Sequence, residues 1–66
     1  MAPTLRQFLE QSIRDAEERI KGMRDHIAEM ERLGLDASGG RRLLKTLLEN
    51  QQERQEKLDE VKRRDE

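Results

Sequence analysis

Apolar residues recur through the first half of the chain at alternating spacings of four and three positions. This heptad spacing is typical of a helix that packs lengthwise against another helix. It predicts helix 1 over about residues 4–33, with one apolar line, here called the seam, facing a partner helix. The seam contains Leu9, Ile13, Ala16, Ile20, Met23, Ile27 and Met30, and Leu5 and Leu33 flank its two ends.

The second half of the chain carries a similar seam, which a polar stretch over residues 49–57 interrupts. The pattern predicts helix 2 over about residues 37–64, with Leu43 and Leu48 widening its apolar stripe. An alternative frame would pass through Leu48 and Gln55. The preferred frame runs through Leu44, Leu47, Gln51, Arg54, Leu58 and Val61.

The start of helix 1 has a recognisable capping pattern. Thr4 and Gln7 have the spacing of a capping box, in which each side chain bonds the backbone amide of the other residue. Pro3 and Phe8 occupy the two positions of a hydrophobic staple around that box.

Glycines mark the break between the helices. Gly34 can adopt the left-handed conformation of a helix C-terminus, with Leu35 as the apolar residue that packs back. Asp36 is a good N-cap for helix 2, and Ser38 is the alternative cap. The sequence therefore predicts a turn at residues 34–36. Gly39 and Gly40 then fall in the first turn of helix 2, which they should weaken.

Folding the chain at this turn brings the two seams into step as an antiparallel pair. The pairing leaves Leu9 opposite Asp65 and gives Leu5 no partner. An apolar tip of Leu5, Phe8 and Leu9 would then be uncovered. The predicted pairs are Met30 with Leu44, Ile27 with Leu47, Met23 with Gln51, Ile20 with Arg54, Ala16 with Leu58, and Ile13 with Val61.

Most of the large apolar side chains lie near the turn, which predicts that the turn end is the stable half and the polar stretch over residues 49–57 the soft region. Leu44→Ala or Leu47→Ala should then unfold or dissociate the protein. Gln51→Leu should stabilise it, because Gln51 and Arg54 form a polar layer in the middle of the seam. Such layers usually cost stability and fix the register of helix association.

Composition narrows the functional classes. Charged residues make up 44% of the 66 residues, the formal net charge is −1, and the chain has one aromatic residue and no cysteine. Absent cysteines exclude disulfide and thiolate-metal scaffolds. The longest apolar runs are far shorter than a membrane span or a secretory signal, so the expected location is the cytoplasm. The balanced charge makes a general nucleic-acid or membrane binder an unfavoured class.

These patterns together predict an all-α, two-helix antiparallel hairpin, one unit over residues 1–66. Two helices cannot enclose a core, and scaffolds of this size need disulfides, a metal or oligomerisation. The predicted solution is a homodimer that forms a four-helix bundle. We expect a non-enzymatic interaction or structural module. A further partner would be another helical protein that docks on the apolar tip or on the leucine-rich turn end.

No residues are predicted to be catalytic, to bind a cofactor or to bind a metal. His26, the only histidine, lies beside the seam with no second ligand at suitable spacing. Ser12 and Ser38 lack the motif of an activated nucleophile. One cluster suggests an alternative function: Arg41, Arg42 and Lys45 could contact the phosphates of RNA, although no aromatic residues accompany them for base stacking.

The turn segment over residues 34–44 resembles a recurrent pattern of small uncharacterised helical-hairpin proteins from soil-type alphaproteobacteria. Gly34, Asp36, Leu43 and Leu44 match their Gly-x-Asp-Thr turn and Leu-Leu second helix, whereas Ala37 and Gly40 replace Thr and Ala. The resemblance implies a hairpin fold and no assigned activity. In size and architecture the chain is also similar to the plasmid copy-number regulator Rop, which makes a Rop-like RNA-binding dimer the alternative function.

Overall fold

The protein folds as one helical hairpin. The computed structural model describes residues 2–65, in which α1 spans Leu5–Arg32 and α2 spans Ser38–Asp65. The helices run antiparallel, since Leu58 near the end of α2 packs with Leu9 near the start of α1. No strand occurs within the described residues, so the predicted all-α hairpin is confirmed. Neither helix combines the length and the apolar character that crossing a membrane requires.

The molecule is a single layer of structure. Its extents are 50 × 22 × 13 Å, and the smallest is close to the ~10–12 Å diameter of one helix with its side chains. Both broad sides of the hairpin are therefore at the surface. We call the end with the interhelical turn the turn end, and the end with the two chain termini the open end.

α1 begins at the predicted capping box. The amide of Gln7 donates to Thr4 Oγ1 at 3.1 Å, and the amide of Thr4 donates to Gln7 Oε1 at 3.0 Å. These two bonds satisfy donors that the first turn of a helix leaves unpaired. Phe8, which the sequence assigns to a staple with Pro3, remains 62% exposed.

α1 ends in a Schellman motif. Gly34 has a φ of 75°, the left-handed conformation that glycine adopts without a steric penalty. The amide of Leu35 donates to the Met30 carbonyl at 2.8 Å, and the amide of Gly34 donates to the Glu31 carbonyl at 3.0 Å. Both bonds belong to this motif. Leu35 nevertheless stays 56% exposed, so its predicted packing against α1 leaves more than half of it in solvent.

α2 begins at Ser38, one residue later than the predicted aspartate cap requires. The Ser38 amide donates to Asp36 Oδ1 at 2.9 Å. Hydrogen bonds from the backbone and then the side chain of Ser38 lower the pKa of Asp36 below its ordinary value. The Arg41 amide donates to the Ala37 carbonyl at 3.0 Å. Ala37 therefore occupies the N-cap position, and Asp36 lies one residue before it while its side chain accepts from the Ser38 amide.

Burial along α2 follows the preferred frame. Leu58 is buried, and Leu44, Leu47, Gln51, Arg54 and Val61 are half-buried. Leu48 and Gln55, which belong to the alternative frame, are exposed. The seam of α2 is therefore the one that repeats through Leu44, Leu47 and Gln51.

The predicted register between the helices is wrong. Leu58 packs in one cluster with Leu9 and Ile13, not opposite Ala16. At the turn end, Gly40 lies against Ile27. Compared with the prediction, α2 is displaced by about one to two helical turns toward the N-terminus of α1. Leu9 consequently has an apolar partner in Leu58. The side chain at position 65, its predicted partner, lies outside the described side chains.

Two small residues explain the displacement. Ala37 is 3% exposed, and a Cβ atom on Gly40 would lie 3.1 Å from Ile27 Cγ1. Ala37 and Gly40 continue the seam of α2 backwards from Leu44 with the same three- and four-residue spacing. Because neither has a large side chain, α2 approaches α1 closely at these positions. The seam therefore begins one heptad earlier than the leucines alone indicate.

Candidate interaction surface

The residues predicted for the core and interface divide into three groups by burial. The buried group is Leu9, Ile13, Ala16, Ile20, Ile27 and Leu58, and the half-buried group is Met23, Met30, Leu44, Leu47 and Val61. The exposed group is Leu5, Phe8, Leu33, Leu43 and Leu48. The buried positions are mostly on α1, so the seam of α1 is covered better than that of α2.

The open end holds the buried apolar cluster of the described residues. Leu9, Ile13 and Leu58 are 7%, 7% and 4% exposed, and Val61 packs against them. This corrects the expectation of an apolar tip uncovered at Leu9, whereas the greater stability of the turn end stays a prediction. Leu5 also gains neighbours, since it lines a shallow groove with Thr4, Arg6, Val61 and Arg64.

The two broad sides of the hairpin differ at the turn end. Glu31 and Arg41 form an ion pair between the helices, which places both on one broad side. Residues in a helix advance by about 100° each, so a residue two positions on points to the opposite side. Leu33 and Leu43 follow this pair by two positions each, and they are 56% and 48% exposed. An apolar pair thus lies opposite the ion pair.

The same division continues to the open end. Phe8 precedes Leu33 by about seven whole turns and therefore lies on the side of the two leucines. We call this side, with Phe8, Leu33 and Leu43, the leucine face.

The other broad side carries ion pairs. Arg6 precedes Glu31 by about seven turns and so lies on the same side. It bonds Glu10 at 3.0 Å, which places a second ion pair near the open end. Leu48 follows Arg41 by about two turns and is the exposed leucine of this side, at 37%. We call this side, with the pairs Glu31–Arg41 and Arg6–Glu10, the bridge face.

A polar layer interrupts the seam between the two ends. Gln51 and Arg54 are both half-buried. No fully buried side-chain nitrogen or oxygen of the described residues lacks a hydrogen-bond partner. At the edge of a seam, long side chains of this kind can bury their stems while their polar heads stay in water. This layer separates the packed open end from the turn end.

The basic cluster does not present three unpaired cations. Arg41 is held by Glu31, while Arg42 and Lys45 are exposed on α2. His26 is exposed on α1. Within residues 2–65, no group of three or more histidine, cysteine or acidic side chains is arranged to hold a metal ion.

Sequence reasoning missed Ala37 and Gly40 as packing residues. The signal is present in their spacing from Leu44, but a seam traced through large apolar side chains begins at Leu44 and passes over small residues. No family model, curated protein or solved structure matches the chain. The resemblance to the alphaproteobacterial hairpins therefore stays a prediction.

Proposed function

We propose that this hairpin is a non-enzymatic, self-associating interaction module, and that two copies form a four-helix bundle. The observation that carries the proposal is the single-layer architecture, 13 Å thick at its narrowest extent. Stable domains bury the apolar side of each element between two or more layers. A second hairpin supplies the missing layer.

The accessible surface supports this proposal quantitatively. The hairpin exposes 5409 Å², whereas a compact monomer of 7.8 kDa is expected to expose about 4,400 Å². The excess is about 1,000 Å², close to the ~800 Å² that each partner buries in a stable complex of standard size. Covering one broad side with a second copy would remove this excess.

The exposed side chains supply suitable chemistry. Phe8, Leu33 and Leu43 are each about half exposed or more, at 62%, 56% and 48%. Their burial contributes roughly 25 cal/mol for each Å² of apolar surface removed from water. Because the chain has no cysteine to form a disulfide, this additional burial would supply the stability that a scaffold of this size needs.

Sedimentation equilibrium over nanomolar to high micromolar concentration tests the proposal. We expect the mass to rise from 7.8 kDa to twice that value, with helicity by circular dichroism rising over the same range. A well-folded monomer at every concentration would refute the proposal. It would show that the seam between two helices is enough to hold this fold.

A further inference from the structure

The two broad faces of the hairpin are chemically unequal, and this bears on how a second copy would dock. The leucine face has exposed apolar side chains at both ends, Leu33 and Leu43 at the turn and Phe8 at the open end. The bridge face has ion pairs at both ends, whereas the leucine face has one, between Arg64 and Glu60 at the open end. A partner that covers one face leaves the other in water.

Desolvation decides between the faces. An ion pair that a partner covers loses its hydration, and its mutual attraction compensates only when the geometry and the remaining hydrogen bonds are excellent. Covering the bridge face would take Glu31–Arg41 and Arg6–Glu10 out of water. Covering the leucine face involves one ion pair, Arg64–Glu60 at its open-end edge. It also removes the exposed apolar side chains of Phe8, Leu33 and Leu43 from water, which is favourable.

The dimensions of the face match a second copy. A broad side of 50 × 22 Å is comparable to the ~800 Å² that one partner contributes to a standard interface. Two identical faces related by a two-fold axis also provide the self-complementary patch that symmetric dimers require.

We infer that a second copy of this chain docks on the leucine face, and that the bridge face forms the solvent-exposed outside of the dimer. This inference rests on the proposed self-association and specifies which surface performs it. Leu33 and Leu43 at the turn end and Phe8 at the open end supply the apolar contacts. The two ion pairs stay hydrated on the outside.

Two leucines of α2 provide a matched test. Leu43 and Leu48 are exposed to similar extents, 48% and 37%, but they lie on opposite faces. Leu43→Glu should raise the dimer Kd by about 30- to 1,000-fold, the range expected when a charge replaces an apolar side chain that the partner buries. Leu48→Glu should leave the Kd within about threefold of the unchanged protein, as expected for a surface change outside the interface.

Cysteine variants give a second readout that does not introduce a charge. The chain has no cysteine, so a single Leu43→Cys or Leu48→Cys thiol reports alone. Alkylation of Leu43→Cys should slow as the protein concentration rises through the dimer Kd. Alkylation of Leu48→Cys should proceed at the same rate throughout.

The outcomes separate the two proposals. If the unchanged protein is monomeric at every concentration, the proposed function fails, and this inference fails with it. If the protein dimerises but Leu48→Glu dissociates it and Leu48→Cys is the protected thiol, self-association stands and the assignment of the face is overturned. Equal protection of both thiols would also overturn that assignment.

Discussion

The turn end and the open end of the hairpin use their apolar residues differently. Near the turn, Leu33, Leu35 and Leu43 are each about half exposed. At the open end, Leu9 and Leu58 are 7% and 4% exposed within one cluster. The end with more leucines is therefore the less completely buried one.

The difference shows what determines burial in a two-helix structure. A leucine is covered when it lies on the seam and has a large side chain opposite. Leu58 meets both conditions, because Leu9 and Ile13 flank it. Near the turn, the seam positions of α2 are Ala37 and Gly40, which bring the backbones together but cover little. Leucines on the flanks of the seam stay exposed there.

Removing the Leu58 side chain should have the largest effect. Leu58→Ala should cost about 2–5 kcal/mol in the free energy of unfolding, since it opens a cavity in the buried cluster. Leu44→Ala, at a half-buried position near the turn, should cost less, and Leu48→Ala, at an exposed position, should cost under about 1 kcal/mol. Urea melts of the three variants measure this order. A larger loss for Leu44→Ala than for Leu58→Ala would place the stability at the turn end.

The polar layer between the two ends offers a stabilising change. Gln51→Leu should raise the free energy of unfolding by about 1 kcal/mol, because it adds apolar burial at a half-buried seam position. Thermal melts with sedimentation at matched concentrations would measure both stability and association. Asn50→Leu, at an exposed neighbouring position, is the control and should change stability little. Strong destabilisation by Gln51→Leu would show that the amide has a satisfied structural partner.

The two adjacent glycines of α2 test the close approach at the turn end. Gly39→Ala should stabilise the protein by roughly 0.5–1 kcal/mol, since a Cβ atom there meets nothing within 4 Å. Gly40→Ala should not stabilise the protein in this way, because the added Cβ atom would lie too close to the Ile27 side chain. Thermal melts of the pair suffice. Equal stabilisation by both changes would mean that the helices are not in contact at Gly40.

The smallest expected effect concerns acid. Hydrogen bonds from Ser38 lower the pKa of Asp36, and a bond with Arg32 lowers the pKa of Glu29. A carboxylate whose pKa is lower in the folded state stabilises that state at pH values above the pKa it has in the unfolded chain. This contribution is lost as the pH falls through the folded pKa. Thermal melts from pH 6 to pH 2 should show a decline that Asp36→Asn makes shallower. An unchanged slope would show that the charge of Asp36 does not stabilise the start of α2.

The sequence predicted the local structure better than the register. The capping box at Thr4 and the glycine turn at Gly34 depend on a few neighbouring residues, and the structure has both. The register depends on which residues of two distant segments touch. Gly40 has no side chain, so it does not stand out in a pattern of apolar residues. The same lack of a Cβ atom lets Ile27 approach closely.

The assignment of residues to the two faces of the hairpin also depends on a contact between distant segments. The helical period places Leu33 and Leu43 on one side once the side of Glu31 and Arg41 is known. That side could not be read from the sequence, because many acidic and basic residues could pair across the helices. The ion pair between α1 and α2 shows which side of each helix belongs to the same broad face.

The position of the buried cluster has a consequence for the order of folding. Leu9 and Leu58 are separated by most of the chain, so closing their contact costs more loop entropy than closing the contacts nearer the turn. The Schellman turn involves only neighbouring residues and can form early. Folding should therefore proceed as a zipper from the turn. Kinetic φ-values should be high around Gly34 and low at Leu58, so that the best packed contact is made after the rate-limiting step and chiefly slows unfolding.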